Sequence, residues 1–186
     1  MNAALLVLRL IPGLLFVGHG LQKLIPAKHS PPLLSAMGPH AFAGGLERMG
    51  IRPALPLAVV TGAGELVGGA LLALGLVTPV ATVLLSAVMT VAILRVHLRN
   101  GIWNTAGGFE FPLLMATCAY VVTALGPGRL SLDASLGIGN WFGLSAANAD
   151  LKAAVAIAIG VAGGGAMLVV ARVAESLRHT GAHPAH

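Results

Sequence analysis

The sequence predicts an all-α membrane fold: a four-helix transmembrane bundle with an added fifth, C-terminal transmembrane helix. Three observations carry this. Hydrophobic residues make up 56% of the 186-residue chain and charged residues only 9%, against about 25% charged in a soluble domain. The apolar residues gather into five runs that, at ~1.5 Å per residue, approach or span a hydrocarbon core of ~30 Å. Between Leu55 and Val77 the only charged residue is Glu65. An ionisable group at that depth costs on the order of 2.5–3.5 kcal/mol, so it calls for a partner or a task.

The first run predicts a helix over 3–25. Arg9 lies inside this long run and no small-residue cleavage site follows, so a cleaved signal is not expected. Residues 26–52 are too polar and Pro-rich to span, but Phe42, Leu46 and Met49 recur at helical spacing and predict a short helix on the membrane surface. The second and third spans are predicted over 55–77 and 80–96, with Pro79 suited to a first turn. The fourth is predicted over 110–125, with Pro112 in its first turn and Gly126-Pro127-Gly128 as its stop. Residues 131–150 lie outside the membrane, with Trp141 and Phe142 expected at the interface. The fifth helix is predicted over 151–171. The chain therefore divides into a bundle (1–136, with interfacial loop 26–52), an extramembrane segment (137–150), the fifth helix (151–172) and a flexible cytoplasmic tail (173–186). The tail carries His179, His183 and His186, but near Gly181 and Pro184 a helix is not expected.

Basic residues set the expected orientation. Lys23, Lys28, Arg48, Arg52, Arg95, Arg99, Arg172 and Arg178 fall on one side of the membrane. The other holds Arg129 and Lys152, offset by Asp133 and Asp150. The positive-inside rule then places the N-terminus outside and the C-terminus in the cytoplasm of a multi-pass cell-membrane protein. The net charge of +5 is a topology signal, and with aromatics at 4% no nucleic-acid partner is expected.

Residues three, four or seven apart share a helix face. Arg9, Gly13, Phe16, Gly20 and Lys23 form one stripe, with His19 at its edge. Thr61, Glu65, Gly68 and Leu72 form a second, Thr82, Ser86, Thr90, Ile93 and His97 a third, and Glu110, Leu114, Thr117 and Val121 a fourth. Lipid cannot satisfy polar groups, so these faces are expected to meet inside the bundle. Arg9 is the cation expected to pair with Glu65, and a pair of this kind can be a structural tie alone. His97, beside Arg95 and Arg99, can equally be an interfacial residue. A cluster of His and Glu can pass protons or hydrogen-bond a quinone carbonyl. No metal is expected, since His19, Glu65, His97 and Glu110 lack a ligand spacing. Cys118 is the only cysteine, which excludes an intramolecular disulfide, a Cys-x-x-Cys pair and a four-thiolate cluster. It is expected to serve packing. Gly64/Gly68 and Gly160/Gly164 are small-residue pairs for close helix approach, and the fifth helix reads as a packing or homo-oligomer element.

Four runs carry a resemblance. They are Leu14-Leu-Phe-Val-Gly-His-Gly-Leu-Gln-Lys-Leu24, Gly64-Glu65-Leu-Val-Gly-Gly-Ala-Leu-Leu-Ala-Leu-Gly-Leu76 with Thr78-Pro79 after it, Gly108-Phe109-Glu110-Phe-Pro-Leu-Leu, and Gly126-Pro-Gly-Arg129-Leu-Ser131-Leu-Asp133. In this order, over most of residues 5–136, the chain resembles the DoxX family of small membrane proteins. The resemblance implies a four-helix core and a link to membrane oxidoreductases, some relatives being subunits of thiosulfate:quinone oxidoreductase and others associating with thiol or oxidative-stress proteins. It also implies that His19, Gln22, Lys23, Glu65, His97, Glu110, Arg129 and Asp133 occupy motif positions. The fifth helix and the long 131–150 segment depart from the pattern.

The function expected from these features is that of a membrane subunit of an oxidoreductase system. Its polar pocket would hold a quinone through His19, Gln22, Lys23, Glu65, His97 and Glu110, and it would act with a soluble or membrane redox partner. Two other readings start from the same features: a proton-coupled or small-molecule transporter using Glu65 and Arg9, and an anchor for a soluble redox enzyme. No inverted repeat supports the transporter.

Overall fold

The computed structural model describes residues 2–138 and 148–181. The expected interfacial pair Trp141 and Phe142, and the tail residues His183 and His186, lie outside them. Helix α1 (Asn2–Leu24) is followed by a loop and the short α2 (Gly38–Arg48), then α3 (Ala54–Leu74) and α4 (Thr78–Ala92). A π-helical turn (Ile93–His97) and a 3-10 turn (Leu98–Asn100) extend α4. Helix α5 (Glu110–Leu125), the one-turn α6 (Leu132–Ser135) and the long α7 (Ala149–Gly181) complete the chain. Among the described residues, four stretches are long and apolar enough to cross a membrane: Asn2–Leu24, Ala54–Leu74, Thr78–Asn100 and Ala149–Leu177. Helix α5 is apolar but has 16 residues, roughly 24 Å of rise. The expected helices are thus all present, the fourth being the short one.

Helix ends follow local chemistry. Gly75, at φ +63°, takes the left-handed turn that ends α3. Its N–H donates to the Leu72 carbonyl and that of Leu76 to Leu71, the paired bonds of a Schellman cap. Pro79 sits in the first turn of α4, where its missing N–H would have had no helical partner. Ser131 caps α6 by accepting from the Ala134 N–H at 3.2 Å.

Two small-residue seams set the helix register. In the first, antiparallel α1 and α3 touch backbone to backbone. A methyl group at Gly13 would lie 2.7 Å from the Ala73 nitrogen and 2.8 Å from the Gly69 carbonyl oxygen; at Gly20 it would meet Gly62 and Leu66. In the second, Gly160 and Gly164 of α7 rest against Val83, Ser86 and Ala87 of α4. Such close contact is what holds helices together where apolar burial does not distinguish protein from lipid. Gly69→Ala is therefore expected to cost about 1–3 kcal/mol through overpacking, because its Cβ would stand 2.6 Å from that of Phe16. Gly163→Ala, which meets nothing within 4 Å, is expected to leave the melting temperature in detergent unchanged or slightly raised. Equal melting temperatures for both variants would refute the seam.

Between the seams lies a core of Phe16, Leu72, Leu85, Met89, Met115 and Val122. Thr82 donates to the Ala119 carbonyl at 2.9 Å, and its hydroxyl lies 2.7 Å from that of Thr123, tying α4 to α5. The interfacial helix is more than a surface element. Ala43 and Leu46 of α2 pack with Ala54 and Ala58 of α3 and Ala171 of α7, so α2 folds over one end of the bundle.

Three expectations need correction. Helix α7 continues to Gly181, so the expected helix end near 171–172 is too early; Ala174, Glu175, Ser176 and Leu177 all tolerate helix, and no proline intervenes before Pro184. The stripe Glu110, Leu114, Thr117 and Val121 does not face inward. Leu114 is 60% exposed, while Pro112, Met115, Ala119 and Val122 are buried. Helix α5 is apolar all round, so periodicity could not choose its face, and Thr117 satisfies itself on the Leu113 carbonyl at 2.8 Å. In α4, Thr82 and Ser86 are buried, but the π turn inserts a residue before His97 and swings it off that stripe.

Candidate functional site

Two polar centres lie at opposite ends of the bundle. At the end that holds the α3–α4 turn, Arg9 is buried, and its guanidinium donates to the carbonyls of Ala73, in the last turn of α3, and Leu130. Asp133 is within electrostatic reach. Its carboxylate accepts from the Val77 N–H at 2.9 Å, and its own N–H donates to the Gly75 carbonyl. Arg9 and Asp133 thus fasten the loop after α5 onto the end of α3 and the α3–α4 turn. This centre has the bonding of a structural lock.

Arg9 does not pair with Glu65. With Gly13 opposite Gly69 and Ala73, and Gly20 opposite Gly62 and Leu66, the register brings Arg9 level with Gly75 and leaves Glu65 facing the other end of α1. There Lys23 Nζ donates to Glu65 Oε2 at 2.5 Å. The same ammonium lies 3.4 Å from the His19 carbonyl and 5.2 Å from the centre of the Phe42 ring. Glu65 is 4% exposed, so the ion pair is held in a mostly dry interior.

A cavity of about 250 Å³ opens beside this pair. His19, Lys23, Glu65 and His97 line it, together with Thr61 and the rings of Phe16, Phe42 and Phe111. His19 stacks edge-on against Phe111 with ring centres 6.3 Å apart. His97 Nδ1 lies 2.7 Å from the Gly107 carbonyl oxygen. A carbonyl only accepts, so Nδ1 carries the proton and Nε2 of the neutral ring is an acceptor. The Gly107 carbonyl is presented by a tight α4–α5 connection. Gly108, Phe109 and Glu110 donate their N–H groups to Trp103, Gly101 and Ile102, and a side chain at Gly108 would strike Ile102.

Of the residues expected at the site, four come together: His19, Lys23, Glu65 and His97. Two do not. Gln22 points away and donates to the Leu34 carbonyl at 2.8 Å, holding the loop before α2. Glu110 starts α5 outside the lining, its backbone tied to Ile102. The sequence reading missed the aromatic and sulfur walls, Phe42 and Met49 of α2 and its flank, Phe111 of α5, and Met167 of α7. Phe42 and Met49 stand on the apolar face of the predicted surface helix, and that face covers the Lys23–Glu65 pair. Phe111 carried no signal, since it stands in a helix apolar on every side. Among the described residues no three His, Cys, Asp or Glu side chains gather as a metal site would require.

The chamber thus offers one ammonium donor, one carboxylate and two imidazoles at the rim of an aromatic pocket. Groups of these types can hydrogen-bond a polar ligand and exchange protons with it. The DoxX family model matches residues 4–98, which covers α1 to α4. The chain is 34% identical to Uncharacterized membrane protein Rv3486 of Mycobacterium tuberculosis over 143 residues, 72% of this chain and 81% of that relative. No solved structure matches. Spanning helices, a glycine-set α1–α3 register and a family match over half the chain agree: this is a multi-pass membrane protein of the DoxX family.

Proposed function

We propose that this protein is a membrane subunit of an oxidoreductase system and that its cavity binds a quinone headgroup. One observation carries the reading: an aromatic chamber reached from a membrane bundle closes around a buried Lys–Glu pair and two histidines. A quinone ring is flat and apolar on its faces and has a carbonyl acceptor at each end. Phe16, Phe42 and Phe111 suit the faces, and the Lys23 ammonium suits a carbonyl. The volume of about 250 Å³, just below the ~300–1,000 Å³ of ligand pockets, suits one ring and leaves an isoprenoid tail between helices. When bound, a quinone supplies two-electron, two-proton chemistry. The chain's own part is to offer proton acceptors at the Glu65 carboxylate and His97 Nε2, and to exclude water with α2. A lone cysteine, Cys118 in α5, cannot carry an electron-transfer cluster. In this reading the electrons come from a soluble or membrane redox partner. The cavity end carries Lys28, Arg48, Arg95, Arg99 and Arg172, which the positive-inside rule puts in the cytoplasm with the C-terminus.

Purification from native membranes followed by solvent extraction tests this. Quinone is expected to accompany the wild-type protein, and Phe111→Ala is expected to lower the retained amount about tenfold, equivalent to ~1.4 kcal/mol. Quinone-free wild-type protein that also fails to take up added ubiquinone-1 would remove the reading.

A further inference from the structure

A second cavity, of about 570 Å³, lies on the outer side of the same end of the bundle, between α2, the irregular end of α4, and α7. Four arginines line it: Arg48, Arg95, Arg99 and Arg172. Arg95 donates to the Met49 carbonyl at 2.6 Å, which fixes one guanidinium at the cavity wall. None of the four is in an ion pair with a carboxylate among the described residues. Glu175 is the neighbouring acid, across Gly50 on the Arg95 side, and it offsets one charge of the four. The remaining positive charge sits where the spans meet the membrane surface. The rest of the lining is apolar. Leu94, Leu98 and Val169 are 46%, 49% and 59% exposed, turned outward where lipid would lie.

We propose that this cavity is a binding site for an anionic phospholipid, with the phosphodiester held by Arg48, Arg99 and Arg172 and an acyl chain lying along Leu94, Leu98 and Val169. A guanidinium presents paired N–H donors that match two phosphate oxygens. Basic pockets between spanning helices concentrate anionic headgroups. The apolar track selects a phosphate that carries its own hydrocarbon over a free one. The π turn at Ile93–His97 serves both sites, sending His97 to the inner cavity and Arg95 and Arg99 to this outer one. The proposal requires only that the chain spans a bilayer, and it stands whether or not the inner cavity holds a quinone.

Native mass spectrometry of the detergent-purified full chain, titrated with dioleoylphosphatidylglycerol or dioleoylphosphatidylcholine, tests it. Phosphatidylglycerol is expected to bind about tenfold more tightly than phosphatidylcholine. Arg48→Gln with Arg172→Gln is expected to erase that preference, whereas Lys152→Gln, at the opposite end of the bundle, is expected to keep it. Both arginines are exposed, so the double variant is expected to fold; its melting temperature without lipid checks this, and Arg99→Gln alone gives a milder variant with a partial loss. Equal binding of the two lipids would overturn the site. So would an undiminished preference in the folded arginine variants, or displacement of phosphatidylglycerol by millimolar inorganic phosphate.

Discussion

Lys23→Met is expected to cost the fold about 3–5 kcal/mol, because it leaves the Glu65 carboxylate buried with no cation. Glu65→Leu is expected to cost less. Lys23 stands in the last turn of α1, where its long stem can carry the ammonium toward the surface, and the Phe42 ring at 5.2 Å partly stabilises the cation. Glu65 stands in mid-helix and has no such escape. The double change Lys23→Met with Glu65→Leu removes both charges and keeps their bulk. It is expected to recover stability to within about 1 kcal/mol of the wild type, since a well-packed apolar pair often matches a buried ionic one. Reversible unfolding in mixed micelles measures the cycle. A coupling energy near zero would mean that the pair at 2.5 Å contributes nothing as a pair. The same double variant separates structure from function. If it is as stable as the wild type and still retains quinone, the ion pair is a tie between helices and the proposed binding role fails.

Much of this architecture was legible in the sequence, and the exceptions share physical causes. Apolar runs located every spanning helix, because a hydrocarbon core of fixed thickness imposes a length that composition reveals. Helix faces were legible where polar or small residues broke the apolar background, as in α1 and α3. They were illegible in α5, where lipid and core ask for the same side chains and Met115 cannot be told from Leu114. Helix register is the instructive case. Gly13 and Gly20 are spaced as Gly62 and Gly69 are, and pairing them antiparallel puts 13 against 69 and 20 against 62. That alignment already sets Glu65 level with Val17, two residues from His19 and six from Lys23 but eight from Arg9, and so favours the far end of α1. Depth alone, counted from the helix ends, chose the wrong cation. The π turn before His97 had no such signature, since a single inserted residue changes neither composition nor length enough to be read. His97 nonetheless reaches the cavity, and Arg95 and Arg99 the outer groove, because of that insertion.

Arg9→Met is expected to destabilise the protein by about 3–5 kcal/mol while leaving the cavity intact in the fraction that folds. Arg9 is 2% exposed, and its two terminal nitrogens bridge the carbonyls of Ala73 and Leu130, which belong to different segments of the chain. Its removal leaves both carbonyls and Asp133 without their cation in a place water reaches poorly. Arg9→Lys is expected to recover only part of the loss, because one ammonium lacks the fork that spans two acceptors. The second readout is ligand retention. Arg9 and Lys23 are separated by roughly 21 Å along α1 at ~1.5 Å per residue, so a lock at one end is not expected to alter what the other end binds. Thermal unfolding in detergent reports the first effect and quinone content per folded protein the second. If Arg9→Met melts like the wild type, the buried guanidinium is not a lock. If quinone is lost from a fully folded Arg9 variant, the two ends are coupled through α1, and the division of the bundle into a structural end and a binding end is wrong.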